Sequence, residues 1–271
     1  MKKIIIIELK RAFLNKTFFV AVLLGTMLAV LQVVFEALPY AFITSLFPDQ
    51  YPPSVFNSCM GLTLGIWQYV FYMVFPILAS LPYSNSYLQD SRTGIIKSIY
   101  IRTNRQQYLT AKLLAVFLSG GFTAVIPIII NNFLVSLCVP AVIPHAATGF
   151  FPIFAQSTWA EIFYTNPWLY VLLFAILLFL TAGILACSAL AFSFFIKYSY
   201  VVILTPFLLF LAISYASSLV SSRFPTNISH WIVPSQSFAP LNLLVVTGEL
   251  AIILLVSIVV YYYKGLNNET I

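Results

Sequence analysis

Six apolar runs, each about as long as a helix that crosses a bilayer, leave this chain few folds to choose from. They cover Phe18–Phe35, Leu62–Leu81, Leu113–Val139, Trp168–Phe195, Tyr200–Val220 and Leu241–Tyr263. A helix rises about 1.5 Å per residue, so roughly 20 residues bridge ~30 Å of hydrocarbon. Only 7% of the residues are charged, against about 25% in a soluble domain. The chain therefore reads as an all-α membrane protein. Its 271 residues are nearly all used in spans and short loops, so residues 1–271 form a single transmembrane domain.

The placement of Lys and Arg orients the spans. Lys2, Lys3, Lys10, Arg11 and Lys16 precede the first run, and Arg92, Lys97, Arg102, Arg105 and Lys112 lie between the second and third. Lys197 falls between the fourth and fifth, and Lys264 follows the sixth. With six transmembrane helices, twelve of the thirteen cations share one side and only Arg223 lies opposite. Positive charge is retained in the cytoplasm, which predicts that both termini are cytoplasmic. Five or seven spans would scatter the same charges over both faces. The net charge of +6 is thus assigned to orientation and to anionic membrane lipids, not to nucleic acid.

The connections are uneven. Residues 1–16 place Ile5, Ile6, Leu9, Ala12 and Phe13 on one helical face and Lys3, Glu8, Lys10, Arg11 and Asn15 on the other. That pattern predicts an amphipathic interfacial helix, with a frayed basic leader as the alternative. The run after Lys16 is longer than a signal-peptide core and lacks a small-residue cleavage site, so it is read as a retained span. Residues 83–112 form the one long inner loop. Asp90 and Ser91 offer capping side chains, and Ile95, Ile96 and Ile99 follow at helical spacing. A short amphipathic helix on the membrane surface or a solvated basic hairpin would fit. The outer loops are rich in proline (Pro39, Pro48, Pro52 and Pro53, then Pro140, Pro144 and Pro152). Thr158 and Glu161 have capping-box spacing before Asn166-Pro167, which opens the fourth span. Residues 222–240 carry Trp231, Pro225, Pro234 and Pro240 among apolar neighbours, which suits a pair of short re-entrant or interfacial helices.

Few residues carry chemistry. Gly94-Ile-Ile-Lys97-Ser98 lacks the first glycine and the length of a phosphate-binding loop, and no dinucleotide fingerprint or Cys/His metal spacing is present. His145 and His230 are far apart, and Asn227-Ile-Ser229 is a chance-level glycosylation triplet. Cys59 and Cys138 could pair near the outer side or remain separate buried thiols, and Cys187 is read as a buried thiol. Glu249 is the clearest ionisable residue within a span, and either faces a pathway or packs as a neutral or hydrogen-bonded group. Asn131, Asn132 and Gln68 are further polar residues within spans, with interhelical hydrogen bonding as the default. Pro76, Pro127 and Pro206 interrupt spans, and Gly25-x-x-x-Ala29, Gly61-x-x-x-Gly65 and Gly183-x-x-x-Cys187 permit close helix approach. Tyr261, Tyr262, Tyr263 and Lys264 read as an interfacial anchor.

The inner loop reads Asp90-Ser-Arg-Thr-Gly94, Ile95-Ile-Lys-Ser-Ile99, Thr103-Asn-Arg105, and Lys112 after Tyr108-Leu-Thr-Ala. With the six-span plan and the leading amphipathic helix, this resembles the ABC type-2 permease family and looks like a Gram-positive bacterial member. It departs where many members carry proline before the Ser/Thr-x-Arg element, since Arg102 stands there. The resemblance implies a permease subunit in the bacterial cytoplasmic membrane. It would pair with a second permease subunit, identical or related, and with two copies of an ATP-binding subunit that hold the ATP and Mg. Residues 90–99 would be the coupling helix, with Asp90, Gly94, Ile95, Ile96, Ile99 and Arg105 at the ATPase contact. The first, second and fifth spans would line the path and residues 222–240 would form an outer gate, with Glu249, Asn131, Asn132, Gln68 and Trp231 as pathway or gate residues. The direction would be export of an amphipathic cargo such as an antimicrobial peptide, lipid or hydrophobic drug, as in a self-immunity pump. A lipid-modifying membrane enzyme would need a polar cluster at one membrane face, and an ion-coupled transporter would need midplane charges and an internal repeat.

Overall fold

A computed structural model describes residues 2–46, 53–63, 65–145, 153, 157–220, 228–236 and 243–267. Among the described residues there is no strand. The protein is an all-α, multi-pass membrane protein, with five helices among the described residues long and apolar enough to cross a bilayer.

Helix α1 (Lys2–Phe13) leads into α2 (Lys16–Gln32), whose first turn is capped by Asn15. The helix does not stop near Phe35 as the sequence suggests. It passes through a π turn (Val33–Ala37) into α3 (Leu38–Leu46), giving one apolar stretch over Lys16–Ile43. Pro39 explains the π turn. Its ring would meet the carbonyl four residues back in an unbroken α-helix, and here the Leu38 N–H already reaches five residues back to Val33 O.

The second apolar run is also corrected. Its helix, α5 (Ile66–Ser80), is only 15 residues long. Before it lie a short helix α4 (Val55–Ser58) and a turn in which Gly61 has φ +103. Gly61-x-x-x-Gly65 is therefore turn and helix cap, not a helix-packing stripe.

In the long inner loop, α6 (Ser86–Arg92) and α7 (Ile95–Arg102) are separated by Gly94 at φ +70. Asp90 and Ser91 do not cap α7, because Gly94 occupies the cap and no side chain bonds there. Helix α8 (Arg105–Cys138) starts eight residues earlier than the apolar run, capped by Asn104. Helix α9 (Ala160–Thr165) forms where expected, but Trp159 at φ 60 stands at its cap, so no capping box exists. Asn166 caps α10 (Pro167–Phe192) with Pro167 in its first turn, as predicted. Helices α11 (Ser199–Val220), α12 (Ile228–Trp231) and α13 (Leu243–Asn267) complete the chain, with a 3₁₀ turn at Pro234–Gln236. Only residues 228–236 of the predicted gate segment are described, and they hold two short helical pieces. Arg223 and Asn227 lie outside the described residues.

Cross-links set the helix directions. Thr17 Oγ1 donates to Pro82 O at 2.8 Å, while Glu36 at the other end of the same long helix meets Trp67 N at 2.9 Å, so α2 and α5 are antiparallel. Asn131 on α8 reaches Ala29 O, Ser80 Oγ reaches Ile203 O, and Tyr261 on α13 reaches Leu109 O. These cross-links tie α2, α5, α8, α11 and α13 into one bundle with α8 and α10 at its centre. Gly25 lies against Pro127, Gly120 against Ala186, and Gly183 against Phe117, so small residues let α2, α8 and α10 approach closely.

Candidate functional site

Among the described residues, Arg11, Arg92, Lys112, Lys197 and Lys264 gather at one end of the bundle. Arg92 Nη2 donates to Lys197 O, joining α6 to the α10–α11 turn, and Lys264 sits 5.2 Å from the Phe195 ring. Beneath them lies a buried charge network. Glu8 and Arg11 come from α1, Asp90 from α6 and Lys112 from α8.

Lys112 is 0% exposed. Its Nζ lies 2.7 Å from Asp90 Oδ2 and 3.1 Å from Glu8 Oε2, with Ser86 Oγ at 3.3 Å. Arg11 bridges the same two carboxylates, at 2.5 Å from Asp90 Oδ1 and 2.9 Å from Glu8 Oε1. Tyr108 donates to Asp90 and Tyr83 to Glu8, both at 2.7 Å. The rings of Tyr83 and Tyr108 also lie 4.9 and 5.0 Å from Lys112 Nζ. Two cations and two anions balance, and each carboxylate has several donors. That is the condition under which charges tolerate burial.

Burial alone would push the Asp90 carboxyl up, but the hydrogen bond from Arg11 and the charge and hydrogen bond of Lys112 outweigh it, so it titrates below its usual 3.8. The Arg11 guanidinium titrates higher than usual, since Asp90, Tyr83 and Glu8 overcome its burial. Burial, then Glu8, raises the Tyr83 hydroxyl, which keeps it a donor.

This network corrects the predicted amphipathic face of α1. Glu8 is buried against the protein, while Ile6 and Ile7 are exposed. Tyr261 is also not an interfacial anchor. It is fully buried against Phe194 and Tyr87.

Above the network stands α7. Ile96 is buried among Tyr83, Tyr87 and Tyr108, with Ile99 packed beside it. Gly94, Ile95, Lys97, Ser98 and Ile101 are exposed. Ile101 is 85% exposed, the largest value among the exposed large hydrophobic residues. Arg105 sits 5.2 Å from the Tyr100 ring. Of the predicted contact residues, Gly94 and Ile95 thus form a free surface, Ile96 anchors it, and Asp90 secures it from below.

The predicted pathway residues lie at the opposite end. Asn131 accepts from Met60 N at 2.7 Å and donates to Ala29 O and Gln32 Oε1; Gln32 in turn donates to Ser58 O. Gln68 accepts from Gly61 N at 2.8 Å and donates to Ser235 Oγ at 3.3 Å. These amides hold the non-helical backbone of residues 58–63, which meets the rule that such backbone within a bilayer be satisfied by protein. Asn132 bonds within its own helix, to Ile128 O. Glu249 and Trp231 are brought together, with the indole N–H 3.4 Å from Glu249 Oε2. Cys59 is buried, Cys138 exposed and Cys187 buried, and all are free thiols.

Sequence reasoning missed Glu8, Arg11 and Lys112 as one unit, although a lysine opening the third apolar run was a signal. It also missed Glu36, whose carboxylate receives the Trp67 N–H at the start of α5. An acid directly after Phe35, the last residue of an uncharged run, and three before Pro39, was the available clue. No family model, curated protein or solved structure matches this chain.

Proposed function

We propose that this chain is the permease subunit of an ATP-binding-cassette exporter, moved by a separate ATP-hydrolysing partner that docks on α7. The observation that carries this is the contrast across that helix. Ile95 and Ile101 are exposed on a short helix whose opposite face is fixed by Ile96 and, beneath it, by a charge network of buried Glu8, Asp90 and Lys112 with the partly exposed Arg11. An exposed apolar pair on a firmly mounted helix is what a soluble partner needs if it is to transmit motion and not merely bind. The chain would cross the membrane six times with both termini cytoplasmic, α5 making the second crossing with the help of the residues before it. Exposed apolar flanks on α2, α11 and α13 suit lipid and a second permease subunit. An amphipathic cargo, exported between paired subunits, fits spans with so few charges.

The test uses the full chain expressed with its natural ATP-binding partner. Ile95→Asp with Ile101→Asp should leave the chain inserted and its thermal unfolding unchanged, yet abolish co-purification of the partner and substrate-stimulated ATP hydrolysis. Full coupling in that variant would disprove docking on α7. Labelling of an Ile101→Cys variant by an impermeant reagent on intact cells would disprove the assigned orientation.

A further inference from the structure

The turn between α10 and α11 gathers charge that the buried network does not use. Residues 193–198 are pinned from beneath by Phe194, whose ring lies 4.2 Å from the Tyr87 ring and 5.5 Å from the Tyr261 ring. Gly265, in the last turn of α13, also lies against Phe194, so the end of that helix is fixed beside the turn.

Three cations from three elements meet here. Arg92, from α6, donates to Lys197 O. Lys197 belongs to the turn itself, and Lys264, from α13, sits 5.2 Å from the Phe195 ring. All three residues are exposed. The ion pairs among the described residues all involve Arg11 or Lys112. Glu8 and Asp90 are buried in those pairs, so among the described residues no acid offsets the three exposed cations.

The surroundings say which anion they meet. Phe195, Tyr198, Tyr200 and Tyr263 are each more than half exposed, and the rings of Tyr198 and Tyr200 stack at 5.6 Å. They stand within a few residues of the ends of the apolar helices α10, α11 and α13. Exposed aromatic rings at the ends of spans suit the headgroup level, where ring and hydroxyl are both satisfied. Cations fixed at that level face lipid phosphates.

We propose that Arg92, Lys197 and Lys264 form one binding site for an anionic phospholipid, its phosphate held among the three cations and its depth set by the surrounding aromatic rings. The site requires only that the chain be embedded in a bilayer, so it stands or falls separately from the transport assignment.

The test uses the full-length chain in phosphatidylcholine nanodiscs. The probe is a phosphatidylglycerol with a photoreactive group near its glycerol, compared with a phosphatidylcholine probe of the same chains. The phosphatidylglycerol probe should label more strongly, at residues 193–200 and 261–267. Lys197→Gln or Lys264→Gln should each lower that preference about fivefold, the share one cation draws from an anionic headgroup. Thermal unfolding in pure phosphatidylcholine should stay unchanged, which separates lost binding from lost fold. Lys197→Arg with Lys264→Arg should keep the preference, since the phosphate needs the charge. Equal labelling by the two probes would overturn the proposal. So would an equal fall in Lys2→Gln with Lys3→Gln, which removes two exposed cations from α1 and would mark a general charge effect. Displacement of the probe by soluble glycerol phosphate would overturn it in favour of a site for a free phosphate. An unchanged lipid preference in Lys197→Gln with Lys264→Gln, alongside loss of a co-purifying ATP-binding partner, would assign the patch to a soluble protein instead.

Discussion

Lys112→Met is the sharpest perturbation of the charge network. The side chain is wholly buried and contacts both acids, so its loss leaves Glu8 and Asp90 sharing Arg11 alone. Methionine fills similar volume, which keeps a cavity from confusing the result. Removing one partner of a buried ion pair destabilises by about 3–5 kcal/mol, chiefly because uncompensated charge stays behind. For a chain of this size that corresponds to a fall in Tm on the order of 10 °C. The assay is thermal unfolding of the purified chain in lipid nanodiscs. Adding Asp90→Asn restores the balance, leaving one anion and one cation. The double variant should therefore recover about 1–2 kcal/mol relative to the sum of the single changes. A Tm loss under about 3 °C for Lys112→Met, or a double variant as unstable as that sum, would refute the idea of a charge-balanced unit.

Three further outcomes are expected. Gly65→Ala would drive a methyl group into the Glu36 carboxylate and displace it from the start of α5, lowering stability by about 1–2 kcal/mol; Glu36→Ala should leave little for Gly65→Ala to remove, as thermal unfolding of the double variant will show. Gly25→Val should cost about 1–3 kcal/mol in the same assay, because its Cβ would stand 2.6 Å from Pro127 Cγ at the α2–α8 crossing. The depressed titration of Asp90 gives a stabilising contribution that is complete above the unfolded value of 3.8 and lost as pH falls through the lower folded value. A Tm-against-pH series should show this loss only below about pH 4, and the Asp90→Asn variant should lack that limb.

How far the fold could be read from the sequence depended on where the free energy is local. Spans three, four and five end within a few residues of the apolar runs or at caps such as Asn104 and Asn166, because burial in hydrocarbon and capping are properties of neighbours in sequence. The first two spans were misjudged for the opposite reason. Whether Pro39 ends a helix is decided by the π turn before it, and where α5 starts is decided by Glu36, which is 29 residues from Gly65. The same division holds at the site. Isoleucine spacing located α7, but which isoleucine faces inward follows from Tyr83, Tyr87 and Tyr108 on other elements. In the sequence Asp90 reads as a helix cap and, by resemblance, as an ATPase contact; its hydrogen-bond partners in the fold, Arg11 and Lys112, are 79 and 22 residues away. Asn131 makes the interhelical bonds that are its default reading, to Ala29 O and Gln32, but both Asn131 and Gln68 also hold non-helical backbone at Met60 and Gly61, which their sequence positions do not show.

Helix α8 continues through Pro127 as one piece over Arg105–Cys138, where the sequence predicts an interruption, with Lys112 near its foot and Asn131 near its head. Those residues are 19 positions apart, or about 28 Å along the axis. A rod of that length magnifies small rotations. Tilting its foot by about 5° swings the head by about 2.5 Å, while a hydrogen bond tolerates a spread of only about 0.5 Å. Any load that unseats Lys112 from its two acids would thus arrive at the far rim as a broken clasp on Met60 and Gln32, a lever with no moving part but the helix itself.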